Sequence, residues 1–279
     1  MKNNKDSKTV IDFGREWGRF NQEFASEQLI DIYKTYFSIF PFEMINKNSQ
    51  GFDMGCGSGR WAKYMAPKVG KLYCIDPSLE ALNVAKKNLS SFNNCVFERT
   101  TADSFSVPSC SLDFGYSLGV LHHVPNTQSA LNKCVEKLKP GSPFLLYLYY
   151  NFDNRGYLFF TIWKLSDFFR KIISKSPFFL KTFICDVLAF FIYLPFARAS
   201  LFFSSLGYSV RNIPLSYYRD KSFYVMRTDS LDRFGTSLEK RFSRKEIESM
   251  MLKSGLTRIK FSEEEPFWTA VGIKKSEEN

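Results

Sequence analysis

Along the first forty residues, Phe13, Trp17, Phe20 and Phe24 recur at helical spacing with polar residues between them, which predicts one or two helices from Val10 to Phe40. From residue 52 the period changes, and short apolar runs alternate with helical stretches. Strands are predicted at Phe52–Met54, Lys71–Asp76, Val96–Thr101, Leu112–Ser117 and Pro143–Tyr149. Between them, Arg60–Pro67 begins a first helix, Ser78–Leu89 puts Leu79, Leu82 and Leu89 on one face, and Thr127–Leu138 is stopped by Pro140 and Gly141. The pattern breaks off at Tyr150 and resumes near Ser243 with a helix ending at Gly255. Two further strands follow, Leu256–Ser262 and Phe267–Lys274, around a turn at Glu265-Pro266. Alternation at this spacing predicts an α/β fold with a doubly wound, mostly parallel seven-stranded sheet, closed by an antiparallel hairpin. It divides the chain into an N-terminal helical segment (1–45), a core (46–150 and 242–279) and a mainly helical insertion (151–241).

Composition sharpens the picture of the insertion. The chain has 279 residues, a hydrophobic content of 44%, thirty phenylalanines and a formal charge of +10. Asn151–Arg241 holds 14 of the Lys/Arg and 7 of the Asp/Glu, so +7 of the +10 lies there. In Tyr157–Ile173 the polar Thr161, Lys164, Asp167 and Arg170 fall three apart among Leu, Ile, Phe and Trp, the mark of a helix with a broad apolar face. Phe183–Phe203 is more apolar still, interrupted by Asp186, Pro195 and Arg198. A cap packed on the core, a dimer interface, peripheral contact with a membrane and a true span all remain open on this pattern. The charge suits an acidic partner or membrane surface and does not by itself indicate nucleic acid, so no nucleic-acid partner is expected. Six cysteines without a C-x-x-C pair read as buried reduced thiols. Residues 1–10 are polar and basic with no apolar run behind them, so a cytoplasmic protein without a secretory leader is expected, with the inner membrane surface as its alternative place.

The chemistry concentrates around FDMGCGSGR, Phe52–Arg60. Gly55, Gly57 and Gly59 allow a tight turn and close approach of a ligand, and a loop between strand and helix is expected to aim bare N–H groups and a positive helix end at it. The spacing is G-x-G-x-G, with Arg60 where a dinucleotide fingerprint has its third glycine. Asp53, just ahead of the loop, suits a cationic ligand better than a pyrophosphate. Asp76 ends the second strand about 20 residues on, where a carboxylate can accept from both hydroxyls of a ribose, and Pro77 and Ser78 follow at the turn. TTADSFSVP places Ala102, Asp103 and Ser104 after the third strand, and DFGYSLGVLHHV closes the fourth.

In this order and spacing the stretch resembles the class I S-adenosylmethionine-dependent methyltransferases over roughly residues 50–150, with a weaker match at 243–275. The resemblance implies S-adenosyl-L-methionine as cofactor. It implies contacts from Asp53, Gly55, Cys56, Gly57, Ser58 and Gly59 in the loop, and from Asp76, Pro77 and Ser78 after the second strand. Asp103, with Ala102 and Ser104, would lie at the adenine, a simple turn or N-cap aspartate being the alternative, and the backbone of Ser117, Leu118 and Gly119 beneath the cofactor. It also implies that residues 1–45 form an N-terminal lid in which Trp17 and Arg19 stand out, with Trp17 a candidate acceptor contact; a helix that merely packs on the core is the alternative.

His122 and His123 are the two histidines of the chain. They sit at the expected mouth of the site, and one of them is the candidate general base. Packing against the cofactor or capping the next helix is the alternative. No metal site is expected. Two polar-aromatic clusters, YYNFDNR and SYYRD, offer Tyr150, Asn151, Arg155, Tyr217, Tyr218 and Arg219 either to an acceptor or to ion pairs that tie the insertion down. The acceptor expected is a small molecule, a sugar or a lipid-linked compound. Absence of an Asp/Asn-Pro-Pro-Tyr stretch and of a Pro-Cys nucleophile argues against methylation of DNA bases. An NAD-dependent oxidoreductase and a non-catalytic protein that docks through its insertion are the rival readings.

Overall fold

The computed structural model describes residues 4–19, 26–210 and 213–276. Phe20 and Phe24 of the expected aromatic row lie outside the described residues. Two compact units divide the chain. Unit 1 comprises Met1–Gln22, Leu29–Asn151 and Leu238–Asn279, and unit 2 comprises Glu23–Gln28 and Phe152–Ser237.

Unit 1 is built on a seven-stranded sheet in the order β3-β2-β1-β4-β5-β7-β6. Its strands are β1 (Gln50–Met54), β2 (Lys71–Ile75), β3 (Cys95–Glu98), β4 (Phe114–Leu118), β5 (Pro143–Tyr147), β6 (Leu256–Phe261) and β7 (Thr269–Lys274). β1 to β5 pair in parallel, and β7 runs antiparallel to both β5 and β6. β3 is shorter than the apolar pattern predicts, because the chain turns after Glu98 into a 3₁₀ turn at Ala102–Ser104. The helices of unit 1 are α1 (Ser7–Arg19), α2 (Ser26–Tyr36, the start of which falls in the other unit), α3 (Ala62–Met65), α4 (Leu79–Asn88), α5 (Thr127–Lys137) and α10 (Arg244–Lys253). α3 is a single turn that tightens into a 3₁₀ turn at Ala66–Lys68, which contains Pro67.

The pleat explains the two cores. On β1, Phe52 and Met54 face one layer with Leu131, Cys134, Ile247 and Met251 from α5 and α10. The opposite layer collects Ala62, Met65, Leu82 and Ala85 from α3 and α4 under Phe114 and Tyr116 of β4. Each fully buried Leu or Phe contributes roughly 1.5–3 kcal/mol. The helices carry their own stop and start signals: Asn126 accepts from the Ser129 amide at the head of α5, and Ser243 and Glu246 form a reciprocal capping box on α10.

α1 lies against α4, and Gly14 is the reason the two helices can approach. A Cβ at that position would stand 2.5 Å from the Ser78 hydroxyl, which caps α4. Gly14→Val is therefore expected to push α1 off at a cost of roughly 1–3 kcal/mol. The check is trypsin cleavage after Arg15 and Arg19, which should be faster in the variant. Equal cleavage rates would show that α1 does not depend on this contact.

Unit 2 is helical: α6 (Tyr157–Ile173), α7 (Phe178–Leu188), α8 (Leu194–Ser205) and α9 (Phe223–Gly235). α7 and α8 run on through a π-helical stretch, Ala189–Tyr193. Pro195 thus sits inside a continuous helical run. Proline lacks the N–H and clashes with the carbonyl one turn back, and the wider π turn preceding it accommodates that defect. α9, which sequence periodicity did not reveal, is the element on which α6 and α7 pack. Two buried cations close its carboxyl end: Arg170 Nη1 donates to the Thr236 carbonyl at 3.1 Å, and Lys181 Nζ to the Gly235 carbonyl at 2.9 Å. A cation there satisfies orphan carbonyls and complements the helix dipole.

Candidate functional site

At the carboxyl ends of the parallel strands a pocket opens in unit 1. Its wall includes Gly55, Cys56 and Gly57 from the loop after β1, Asp76 and Pro77 after β2, Ala102 and Asp103 after β3, and Leu118, Gly119 and His123 after β4. Phe13 and Trp17 of α1 complete it. The remaining implied contacts lie behind the wall. Ser58 is fully buried, and its carbonyl accepts from Asn88 Nδ2 at 2.9 Å. Gly59 N donates to the Cys56 carbonyl at 2.8 Å, holding the turn closed. The Ser78 side chain caps α4, Ser104 ends the 3₁₀ turn, and Ser117 Oγ donates to the Met54 carbonyl at 2.9 Å as a tie between β4 and β1. Arg19 is exposed at the end of α1.

The loop works differently from the expectation of bare amides. Gly55 N and Cys56 N both donate to the Ile75 carbonyl, at 2.8 and 2.9 Å, and Gly57 N donates to Asp76 Oδ2 at 3.0 Å. α3 is one turn long, so no strong helix end stands behind the loop. A cradle whose amides are already bonded within the protein offers little to a pyrophosphate, and the dinucleotide reading loses its physical basis here. What the glycines provide is space. Gly55 has φ +79°, and a Cβ there would meet Val120 at 2.3 Å; Gly57 has φ +53°, and its Cβ would stand 2.9 Å from Trp17 Nε1. A residue with a side chain would close the floor of the pocket on both counts.

Asp76 is held in place by two amides, Gly57 N on Oδ2 and Ser78 N on Oδ1 at 2.8 Å. Burial raises its pKa to about 6, against the lowering effect of those two bonds. At neutral pH it is an anchored carboxylate with lone pairs left for hydroxyl donors. Asp103 Oδ2 accepts from the Asn4 amide at 3.2 Å, and Asn4 and Asn126 bond reciprocally, so the N-terminal segment is fastened beside the pocket wall.

Asp53 departs from its expected place. It pairs in register with Cys74 and Tyr116 and shares their buried layer, and it is not among the residues of the pocket wall. It is 1% exposed, and neither oxygen has a hydrogen-bond partner within the geometric limits. Desolvation raises its pKa to about 8, with the adjacent Tyr116 hydroxyl and Arg60 opposing the shift and Asp76 adding to it. Buried in this way it is held mostly as the neutral acid at pH 7.

The two histidines separate cleanly. His123 is in the pocket wall, with Phe13 edge-on at 4.9 Å, and its Nδ1 lies 2.6 Å from the Leu238 carbonyl. A carbonyl accepts only, so Nδ1 is the donor, and Nε2 is the nitrogen a neutral ring would offer as acceptor. His122 is fully buried behind it, 3.9 Å from both the His123 and Tyr149 rings, and burial drives its pKa well below the usual histidine value.

Sequence reasoning passed over several wall residues. Arg60 is one: its guanidinium lies 4.9 Å from the Trp17 ring and 4.5 Å from Trp61, a sandwich the neighbouring tryptophans hinted at. Asn4, Asp6 and Thr9 are others. Conversely, the polar-aromatic clusters are not in this wall. Tyr150 packs against Phe267, and its carbonyl accepts from Arg241. Asn151 N donates to the Phe242 carbonyl. In unit 2 the Arg155 guanidinium lies over Phe159, the Tyr218 hydroxyl donates to Asp229 at 3.0 Å, and Arg219 bonds to the Ser216 carbonyl, while Tyr217 lies edge-on to Tyr218. Among the described residues no group of three or more His, Cys, Asp or Glu is placed to hold a metal ion.

The fold and this pocket define the class I S-adenosylmethionine-dependent methyltransferase fold, and residues 52–146 match the family model of the methyltransferase domain. The ubiquinone biosynthesis O-methyltransferase of Azoarcus sp. is 32% identical over 113 residues, covering 39% of this chain and 48% of the relative. Phosphoethanolamine N-methyltransferase 2 of Caenorhabditis elegans is 26% identical over 132 residues, covering 46% and 28%. The chain thus spans about half the length, or less, of these curated relatives. Among solved structures, a chain from the complex of the Haloferax volcanii Trm112 methyltransferase activator with a methyltransferase superposes with a TM-score of 0.54 at 11% identity, over 93% of this chain and 98% of that one. That likeness is one of fold. The residues present fit the family's cofactor, S-adenosylmethionine: a floor kept clear by Gly55 and Gly57, and a fixed carboxylate at Asp76.

Proposed function

We propose that the protein transfers a methyl group from S-adenosylmethionine to a hydroxyl on a small, largely apolar or lipid-linked acceptor. The observation that carries the reading is the presence in one pocket wall of the glycine floor, the amide-anchored Asp76 and an Nδ1-protonated His123. Asp76 would hold the ribose, Ala102 and Asp103 the adenine, and Leu118 and Gly119 the underside of the cofactor. S-adenosylmethionine supplies a methyl group on a sulfonium, transferred by in-line displacement. His123 Nε2 takes the acceptor's proton, and the Leu238 carbonyl bonded to Nδ1–H steadies the resulting imidazolium. Phe13, Val10, Leu121 and Val124 in the wall exclude water and favour an apolar acceptor body. The O-methyltransferase relatives in ubiquinone biosynthesis support a hydroxyl acceptor of that kind.

Calorimetric titration with S-adenosylhomocysteine tests the assignment. Asp76→Ala is expected to weaken binding by more than about 1.4 kcal/mol, a tenfold loss. Unchanged affinity in a folded variant would remove the cofactor assignment.

A further inference from the structure

Unit 2 carries a surface that the methyl-transfer reading leaves unused. α7, the π stretch and α8 form one helical run, Phe178–Ser205, of 28 residues, long and apolar enough to cross a membrane, with only 28% of its apolar window buried. Phe179, Phe183, Phe191 and Phe202 on this run are 75, 65, 67 and 60% exposed. α6 adds Leu165, Phe168, Phe169 and Ile172, all more than half exposed. A soluble protein rarely leaves so many large apolar side chains exposed without an occupant.

The other side of the same run is polar and bonded. Lys181 caps α9, Asp186 receives a bidentate pair from Arg227 at 2.9 and 3.0 Å, and the Cys185 carbonyl accepts from Ser230. A spanning helix would take Lys181, Asp186 and Arg227 into hydrocarbon, at high cost. A helix lying in the interface keeps that side on the protein and immerses only its phenylalanines.

Charge selects between a bilayer and a second copy. Between Tyr157 and Tyr208 there are six cations and two acids, Asp167 and Asp186. Both acids are engaged in ion pairs. Lys164 and Lys175 are exposed on α6 and the turn after it, beside the apolar face, and the exposed Lys171 between them pairs with Asp167 at 3.1 Å. Two such faces brought together would set like charges against each other, whereas an anionic bilayer complements both the cations and the apolar side chains. We infer that α6 and the α7–α8 run form an in-plane docking surface for an anionic lipid bilayer. This inference rests on unit 2 alone and does not depend on the methyl-transfer reading.

Flotation of the full-length protein with phosphatidylcholine vesicles, with and without phosphatidylglycerol, tests it. The protein is expected to float with the anionic vesicles and to be released in part by high salt. The triple variant Phe179→Ser/Phe183→Ser/Phe191→Ser is expected to lose roughly tenfold in partition per phenylalanine. Its S-adenosylhomocysteine affinity should stay unchanged, which shows that the protein is folded. Should that variant fail to fold, Lys164→Glu/Lys171→Glu/Lys175→Glu, confined to exposed side chains, is expected to abolish the preference for anionic vesicles. Wild-type protein that stays in the aqueous fraction at low salt would overturn the proposal. So would a serine variant that floats as wild type does, or one that only converts a dimer to a monomer by light scattering.

Discussion

His123→Ala is expected to lower methyl transfer by about 10²–10⁴-fold, the usual contribution of a positioned general base, while S-adenosylhomocysteine affinity stays at the wild-type value. The measurement is transfer of labelled methyl from S-adenosylmethionine into whichever extract fraction the wild type labels. His122→Leu is the paired control. His122 is fully buried, both its ring nitrogens lack a hydrogen-bond partner, and burial keeps it neutral across the working pH range. Removing two unsatisfied polar atoms from an apolar setting is not destabilising in principle, so this variant should retain turnover. Full activity in His123→Ala would end its role as base, and loss confined to His122→Leu would reverse the assignment.

Asp53→Asn should make the ligand-free protein more stable above neutral pH. Burial raises the carboxyl from its ordinary 3.8 to about 8. Between those values the unfolded chain releases the proton while the folded chain retains it, so wild-type stability falls as pH rises. Below about pH 4 neither state is ionised and the penalty is absent; above about pH 8 it is complete. A shift of that size places the whole effect on the order of 5 kcal/mol. Asp76, raised to about 6 by burial, slopes the same way and remains in the variant. Urea unfolding at pH 5 and pH 8 should therefore show a clearly flatter pH dependence for Asp53→Asn than for wild type. Parallel curves would mean that Asp53 ionises normally.

The strands were legible because each buried run is apolar and bounded by turn residues, and FDMGCGSGR announced its loop through three glycines. Strand parity was the harder matter. Asp53 looks like a site residue because it adjoins the loop, yet its place in the pleat turns it into the opposite layer with Cys74 and Tyr116. The fate of the loop amides was likewise hidden, since their acceptors are the Ile75 carbonyl and an aspartate 19 positions away. Backbone acceptors leave no mark in side-chain chemistry, and the Leu238 carbonyl on His123 comes from 115 positions away. In unit 2, α9 escaped notice because its buried face is mixed: Thr228 and Ser230 interrupt Val225, Met226 and Leu231. Tyr218 and Arg219 of SYYRD suggested ligand chemistry, and their hydrogen bonds here are internal.

Where the chain leaves the sheet after β5 and where it returns, Tyr150 and Phe242 meet in a parallel bridge, with Phe242 N on the Tyr149 carbonyl and Asn151 N on the Phe242 carbonyl. The returning strand also gives Lys240 N to the His122 carbonyl and the Leu238 carbonyl to His123. The seam that re-enters the sheet therefore also sets the tautomer of the pocket histidine. Residues 238–242 thus do two jobs at once: they close the chain's re-entry beside the sheet and hold the ring of His123, so that the imidazole is located as firmly as the backbone that brings it there.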